Sequence, residues 1–445
     1  MGNTKKLITV MVIKFLGFLL IFPLGCDTTD PPSNDSFSIL MEDRSCTEIW
    51  IKLSITNFQS PTELDILTDN IVAKSINLQS SDTLLCIDSL LPNRTYKLKA
   101  SSQSISSNEI LVTTLDTTSR SFNWQYWTFG EFSAGGSAFY DVTILNENNI
   151  FVVGRISRFD SLGNPEIYSY NAIQWDGQKW NYHRVMFDAI CLNDSVNGAY
   201  PIQAVFSFED ETIITASGLQ LAYLKDGIQL KKECIDIPPN KIWGRSSDDF
   251  FVVGNHGNIL HWDGEQWLKL KTNTSDQINH IYGDYMNENQ KAEIICVGST
   301  GSNPSPVRIY NLNPTNNSVS TYSYQNIPFG PTADIWFKPN KRYIIAGNGI
   351  YSKRVIGSSE LWNKEVEPPI NNFPSNAIDG DNFNDIIVCG FNSEILHYNG
   401  YNWKNLTDQI GSYIHVPLEC KIQNGTVVIV GFNGDQAVVI LGKRY

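Results

Sequence analysis

Six histidines, 46 acidic residues and eight cysteines are the groups in this chain best suited to chemistry, and their spacing argues against most of it. His261 and His397 hold the same place in two copies of a repeated segment, and Gln174 holds it in a third. A position that recurs unit after unit reads as scaffold, because a protein has one site and many copies of its frame. Asp248, Asp249 and Asp385 precede apolar runs, where side-chain oxygens are expected to cap turn amides. His256, His280 and His415 do not repeat, and no partner stands at metal-ligand spacing from them. The chain has no His-Glu-x-x-His, no glycine-rich phosphate loop and no Gly-x-Ser-x-Gly, so neither a metal nor a cofactor is expected. Cys296 and Cys389 lie in apolar runs and read as small core residues. Asp160 and Glu166 share one loop, and two nearby carboxylates are what glycoside hydrolysis needs.

Composition narrows the class further. With 33 basic against 46 acidic residues the formal charge is -13, which excludes the basic footprint of a nucleic-acid binder. It equally excludes adhesion to anionic lipid by charge alone. Hydrophobic residues make up 42% of the chain, enough for a packed core, and 445 residues suggest roughly three domains.

Lys5 and Lys6 precede an apolar stretch, Leu7 to Ile13, then Lys14, then Phe15 to Leu24. A basic start and a short apolar run read as a secretory signal. The run from Phe15 falls short of the roughly 20 apolar residues that span a bilayer, and Lys14 interrupts any longer version. It ends Phe22-Pro23-Leu24-Gly25-Cys26 and turns at once into Asp27-Thr28-Thr29-Asp30-Pro31-Pro32. This resembles the lipobox of bacterial lipoproteins, where a small residue precedes a cysteine that is acylated and becomes the new N-terminus. Pro23 stands where that family usually has leucine. The resemblance implies a signal peptide over 1–25, lipidation at Cys26, a linker over 26–35, and a lipid-anchored place in the bacterial envelope at the outer membrane. Asp27 and Asp30 resemble the acidic start of surface-exported lipoproteins, and serve a solvated linker equally well.

Over 36–117, short alternating strands are separated by turn signals. Ile49, Ile51 and Leu53 share a phase, and Leu90-Leu91-Pro92-Asn93-Arg94-Thr95-Tyr96 leads into a second alternating run. The latter resembles the tyrosine corner of a fibronectin type III domain, with Trp50 at a usual core-tryptophan position. The resemblance implies a small β-sandwich that spaces or binds. It would also put Cys46 and Cys86 on neighbouring strands, where oxidation could bridge them, although spacing does not fix connectivity. The states of Cys191, Cys234 and Cys420 are left open.

From Ser121 onward one segment type recurs. Its fullest copy is Asp248-Asp249-Phe250-Phe251-Val252-Val253-Gly254 followed by Asn258-Ile259-Leu260-His261-Trp262-Asp263-Gly264-Glu265-Gln266-Trp267. Further copies end their apolar run at Gly154 and Gly390, with weaker ones at Gly298, Gly347 and Gly431 and over Thr212 to Gly218. From Gly254 the glycine-to-glycine steps are 44, 49, 43 and 41 residues. Each unit reads as four strands, the last two joined by an Asp-Gly or Asn-Gly pair that favours a type I′ turn. Four antiparallel strands every 40–50 residues is the period of a β-propeller blade. The unit resembles bacterial propeller repeats of the form D-x-F-x-V-G…I-L-H-x-D-G-x-x-W. Seven units are expected over 122–445, with six or eight as alternatives. Phe122 to Phe129 would supply the missing outer strand of the last unit and close the ring. Trp180, Trp267 and Trp403 recur on the fourth strand and are expected to pack between units.

The long insertions, 155–168, 186–200, 299–306 and 366–374, fall between second and third strands or between units, which share one face of a propeller. Variable loops on a rigid frame are where binding usually lives. Arg155, Asn255, His256, Phe391, Phe432 and Asn433, just after the strand glycines, are therefore the candidate ligand contacts. The expected fold is all-β, a fibronectin III-like sandwich followed by a seven-bladed propeller. The expected role is non-catalytic capture of a protein or glycan at that face, with a carbohydrate-active enzyme using the same face as the alternative.

Overall fold

The structure, a computed structural model, describes residues 36–445 except 57–61, 103–104, 192, 287–290, 301–306, 325–329, 331–332, 368–369, 371–372 and 412–413. The segment expected to be a signal peptide, 1–25, and Cys26 lie outside the described residues, as does most of the 299–306 insertion. Among the described residues no helix is long and apolar enough to cross a membrane.

Residues 36–117 form two facing antiparallel sheets. One has three strands, Phe37–Arg44, Ile49–Ile55 and Asp82–Ile87. The other has four, ordered Ile71–Leu78, Thr62–Thr68, Thr95–Ser101 and Ser106–Thr113. Alternate residues such as Ile49, Ile51, Leu53, Leu64, Ile66 and Leu98 fill the space between them. The Tyr96 hydroxyl accepts a hydrogen bond from the Leu91 N–H at 2.9 Å, so this tyrosine fixes the corner that leads into its own strand. Cys46 and Cys86 are both free thiols. Cys86 pairs with Trp50 across the sheet, whereas Cys46 precedes that strand, so the two never face each other.

Seven four-stranded antiparallel sheets follow among the described residues. Sheet 1 is Ala138–Asn146, Asn149–Phe159, Pro165–Trp175 and Trp180–His183; sheet 2 is Ala204–Ser207, Ile213–Ser217, Gln220–Lys225 and Ile228–Cys234. Sheet 3 is Pro239–Ser246, Asp249–Gly254, Ile259–Trp262 and Trp267–Leu270; sheet 4 is Gln277–Tyr285, Ala292–Ser299, Val307–Asn313 and Ser318–Tyr324. Sheet 5 is Asp334–Lys338, Arg342–Gly347, Gly349–Lys353 and Asn363–Lys364; sheet 6 is Ser375–Asn382, Asp385–Gly390, Glu394–Tyr398 and Trp403–Asn405. Sheet 7 takes Val416–Gln423, Thr426–Asn433 and Gln436–Arg444, and its fourth strand is Phe122–Phe129. First strands of successive sheets touch, and that of sheet 7 touches that of sheet 1, so the sheets close on themselves. The cores lie between sheets. Phe151, Val153 and Phe187 meet Val205 and Leu224 between sheets 1 and 2, and Phe139 and Trp175 meet Val430 and Val439 between sheets 7 and 1.

The repeated glycines are explained by close approach. A Cβ on Gly154 would lie 2.1 Å from the Ala138 carbonyl oxygen, and one on Gly431 would lie 2.1 Å from that of Val416. The Asp-Gly pairs do not form the expected type I′ turns. Trp175 pairs with Trp180, Trp262 with Trp267 and Tyr398 with Trp403, which leaves four-residue loops. In each, the Asp176, Asp263 or Asn399 side chain accepts from the amides two and three residues on. Only the glycine takes positive φ, at +90°, +93° and +91°, so the side-chain cap rather than a primed turn closes the hairpin.

The sandwich sits against sheets 5 and 6. Trp50 stacks on Phe383 with ring centres 4.9 Å apart, and Arg354 donates to Glu48 at 2.8 Å. Lys341 pairs with Asp43 at 2.9 Å, and Asn384 donates to the Asp116 carbonyl at 2.8 Å. Lys341, Phe383 and Asn384 belong to turns between first and second strands, and Arg354 follows a third strand. The sandwich thus covers part of the side where those turns gather, and among the described residues it makes no contact with the opposite side.

Candidate functional site

Five of the six candidate contacts lie at, or just past, the end of a second strand, and Arg155 follows its strand glycine inside a longer one. Arg155 lies in the strand Asn149–Phe159, and Phe432 and Asn433 end the strand Thr426–Asn433. Asn255 and His256 follow Gly254, and Phe391 follows Gly390. Arg155 is half-buried and its Nε has no partner among the described residues. Its charge opposes the effect of burial on Tyr140, whose hydroxyl is nonetheless held above its ordinary range. Asn255 is engaged, its Oδ1 accepting from Asn240 Nδ2 at 2.8 Å. His256 is exposed with φ +59°, Phe391 and Asn433 are exposed, and Phe432 is half-buried. Among the described residues, none of the six lines the cavities of about 560 and 590 Å³.

On this same side a cavity of about 590 Å³ opens between sheets 1 and 2. One wall is a small hairpin, Phe187–Ile190 with Asn193–Gly198, inside the 186–200 insertion; the other is 217–220, the turn between second and third strands of sheet 2. Phe187, Ala189, Ile190, Tyr200, Pro201 and Leu219 make the lining largely apolar. Ile190 at the rim is 67% exposed, and Leu219 is 45% exposed. Ile202, next to the lining residue Pro201, donates its N–H to the Gly154 carbonyl at 3.0 Å. Arg155 is therefore the candidate residue whose chain position abuts this cavity.

Side chains hold the hairpin to sheet 2. Gln220 accepts from the Asp188 N–H at 3.1 Å and donates to the Asp188 carbonyl at 2.7 Å, imitating a strand partner. Gln229 makes the same reciprocal pair with Met186, both bonds at 2.9 Å. Lys232 meets the Asp188 carboxylate and donates to Asn197 Oδ1 at 3.1 Å. A disulfide joins Cys191 at the hairpin tip to Cys234 at the end of the strand Ile228–Cys234. The insertion was visible in the sequence; Asp188, Gln220, Lys232 and the disulfide were not, since no motif spacing relates them.

The axis of the ring carries a second polar cluster that the sequence reading missed. First strands contribute Asp141, Lys241, His280, Asp334, Asp379, Glu419 and Lys421. Lys241 lies between Asp141, at 2.8 Å, and Glu419. Burial works against its charge, but the two carboxylates outweigh it and hold the amine above its usual range. Lys421 pairs with Asp379 at 3.2 Å, and His280 Nδ1 lies 3.1 Å from Asp334 Oδ1, out of hydrogen-bonding angle. The three aspartates also tie neighbouring sheets: Asp141 accepts from the Val205 N–H, Asp334 from that of Ile378 and Asp379 from that of Ile422, at 2.9, 3.1 and 2.9 Å. The two lysines and their carboxylate partners pair across the axis, and the cluster reads as a frame. Among the described residues no group of three or more His, Cys, Asp or Glu is placed to hold a metal ion.

The recurring histidines are scaffold, in a way that revises the role of the turn aspartates. His261 Nε2 contacts Asp249 Oδ1 at 2.9 Å and His397 Nε2 contacts Asp385 Oδ1 at 2.8 Å. In sheet 1 Gln174 donates to Asn149 at 2.8 Å. Asp249 and Asp385 open second strands and brace the third strand instead of capping a turn, while Asp248 stays in the turn. Trp180 and Trp267 pack across sheet boundaries, against Trp127 at 5.9 Å and with an indole N–H bond to Glu233 at 2.6 Å. Trp403 joins the core between sheets 5 and 6.

No protein-family model matches the chain, and no curated protein matches it in sequence. Solved structures do. A structure of YCF48 bound to D1 peptide superposes with a TM-score of 0.51 at 14% identity, covering 74% of this chain and 97% of that one. YCF48 from Cyanidioschyzon merolae superposes with a TM-score of 0.51 at 13% identity, covering 72% of this chain and 98% of that one. This likeness shows a β-propeller fold.

Proposed function

We propose that this chain is a non-catalytic, lipid-anchored envelope protein in which a fibronectin III-like sandwich carries a seven-bladed propeller, and that the propeller captures an extended protein segment. One observation carries the reading: the apolar cavity beside Arg155, walled by a hairpin with several side-chain ties and a disulfide to its sheet. A preformed apolar slot with few polar groups at its edge suits an aliphatic or aromatic side chain better than a sugar ring. The sandwich contacts the opposite side of the ring, so among the described residues it does not obstruct the cavity. One of the structural neighbours is a complex with a peptide, which supports a peptide as the ligand class here.

Catalysis on a glycan is less well supported. Asp160 spends its carboxylate on its own loop, accepting from the Leu162 and Asn164 amides at 2.8 Å each, and Glu166 pairs with Arg184 at 3.3 Å. Neither carboxylate lines a described cavity.

The test is selection of displayed peptides on the purified chain, run beside a glycan array. Peptides with a large apolar residue should be enriched, and Ile190→Glu and Leu219→Glu should lower their affinity at least tenfold with unchanged thermal unfolding. Glycan binding without peptide binding would overturn the reading. Arg155→Ala, Phe391→Ala and Phe432→Ala ask how far the contact extends across the face. Lipid anchoring predicts palmitate incorporation in cells that disappears in Cys26→Ser.

A further inference from the structure

The disulfide stands where it can control the cavity. Cys191 belongs to the cavity wall, its Sγ is 3.4 Å from the Leu219 carbonyl oxygen on the opposite wall, and Cys234 anchors it to the outer strand of sheet 2. Both cysteines are half-buried, within reach of a small thiol, whereas Cys46, Cys296, Cys389 and Cys420 are buried free thiols.

The hairpin that the disulfide pins is weak by itself. A lone two-stranded hairpin is marginal in water, and these strands have four and six residues. Its base is secured by Phe187, 1% exposed in the core between sheets 1 and 2, and by the Gln229 and Gln220 bonds. Its tip, with Ile190 67% exposed, has the Cys191–Cys234 bond as its covalent tie.

We infer that thiol–disulfide exchange at Cys191–Cys234 switches the capture site: oxidised, the hairpin tip forms the cavity wall; reduced, the tip leaves the turn at 217–220 and the cavity is lost. In the exchange an external dithiol's thiolate attacks one of the two sulfurs and forms a mixed disulfide. Its second thiol then displaces that sulfur, leaving two cysteine thiols and one oxidised dithiol, a two-electron transfer. The chain would lack its site in a reducing compartment and gain it in an oxidising one. This inference rests on the capture reading above, but its first readout does not need a ligand.

Full-length chain, oxidised or reduced with dithiothreitol and alkylated, is compared by hydrogen exchange. Amides of 187–191 should exchange at least tenfold faster after reduction, while Ile213–Ser217 stays protected. Equal exchange in both states overturns the switch, as does finding both thiols free in the exported protein. Peptides selected on the oxidised chain should bind the reduced chain, and the Cys191→Ser/Cys234→Ser variant, at least tenfold more weakly. If that variant fails to fold, titration of folded wild type with dithiothreitol gives the same readout. Failure to select any peptide, with the exchange difference intact, would sink the capture reading and leave the switch standing.

Discussion

Lys241 Nζ lies 2.8 Å from Asp141 Oδ1, a residue 100 positions earlier and two sheets away. With Glu419 on its other side, this amine joins sheets 1, 3 and 7 across the centre of the ring. Truncating one partner of a buried ionic cluster leaves uncompensated charge and costs about 3–5 kcal/mol. Lys241→Met should lower stability by that order in urea unfolding. Burial already pushes the Glu419 carboxyl up. Adding Glu419→Gln to Lys241→Met should therefore recover part of the loss; a double variant less stable than Lys241→Met would show that the amine does not serve as counter-charge.

Acid should unfold the ring in two stages. Burial holds His397 below its ordinary 6.5, only partly opposed by Asp385. Asp385 is held below its ordinary 3.8: burial pushes it up, but hydrogen bonds from His397 and Arg444 outweigh that. Both folded values are depressed, so the stability these two groups contribute is full above about pH 6.5 and declines as pH falls through the histidine range. A further loss comes below pH 3.8 as Asp385 is protonated in the unfolded chain. His183, also depressed by burial, adds to the first stage. Melting temperature measured from pH 8 to pH 3 should fall in both windows, and His397→Gln should flatten the upper one.

Trp127 belongs to the strand Phe122–Phe129 and meets Trp175 at 5.4 Å and Trp180 at 5.9 Å in sheet 1. Trp127→Ala should destabilise the ring by about 3 kcal/mol, in the range of large aromatic truncations. Tyr126→Ala, at a neighbouring residue that is 47% exposed, should stay within about 0.5 kcal/mol. Equal effects would mean that the strand adds backbone pairing and no packing.

Tyr96→Phe removes the hydroxyl that accepts the Leu91 N–H and should cost about 1 kcal/mol. The loss should appear in exchange of sandwich amides and spare those of sheets 1 and 2.

What the sequence disclosed depended on whether a feature repeats. Gly154, Gly254, Gly390 and Gly431 marked their second strands because a side chain there would strike a neighbouring carbonyl, a constraint these four strands share and the strand Ile213–Ser217 of sheet 2 meets without a glycine. His261 and His397 were readable as frame for the same reason. The Asp-Gly pairs suggest a type I′ turn by their residue types, but Asp176 and Asp263 act through their carboxylates and not through their backbone angles. Lys241, Asp141 and Glu419 gave no signal: each sits alone in an ordinary strand, and their meeting depends on ring closure. Cys191 and Cys234, 43 residues apart, could not be paired by spacing. Of the cavity, the 186–200 insertion was legible and the Gln220 mimicry of a strand was not.

The pairing of Phe122–Phe129 with Gln436–Arg444 sets a clock on biosynthesis. Gln436 donates to the Gly130 carbonyl across 306 residues of chain. At translation speeds of about 5–20 residues per second the earlier strand waits roughly 15–60 s for its partner. Through that interval its backbone is an open edge that any extended neighbour could join. Folding cannot be completed piece by piece as the chain emerges, so the nascent protein needs shielding, or passage across a membrane while still unfolded, until its last strand arrives.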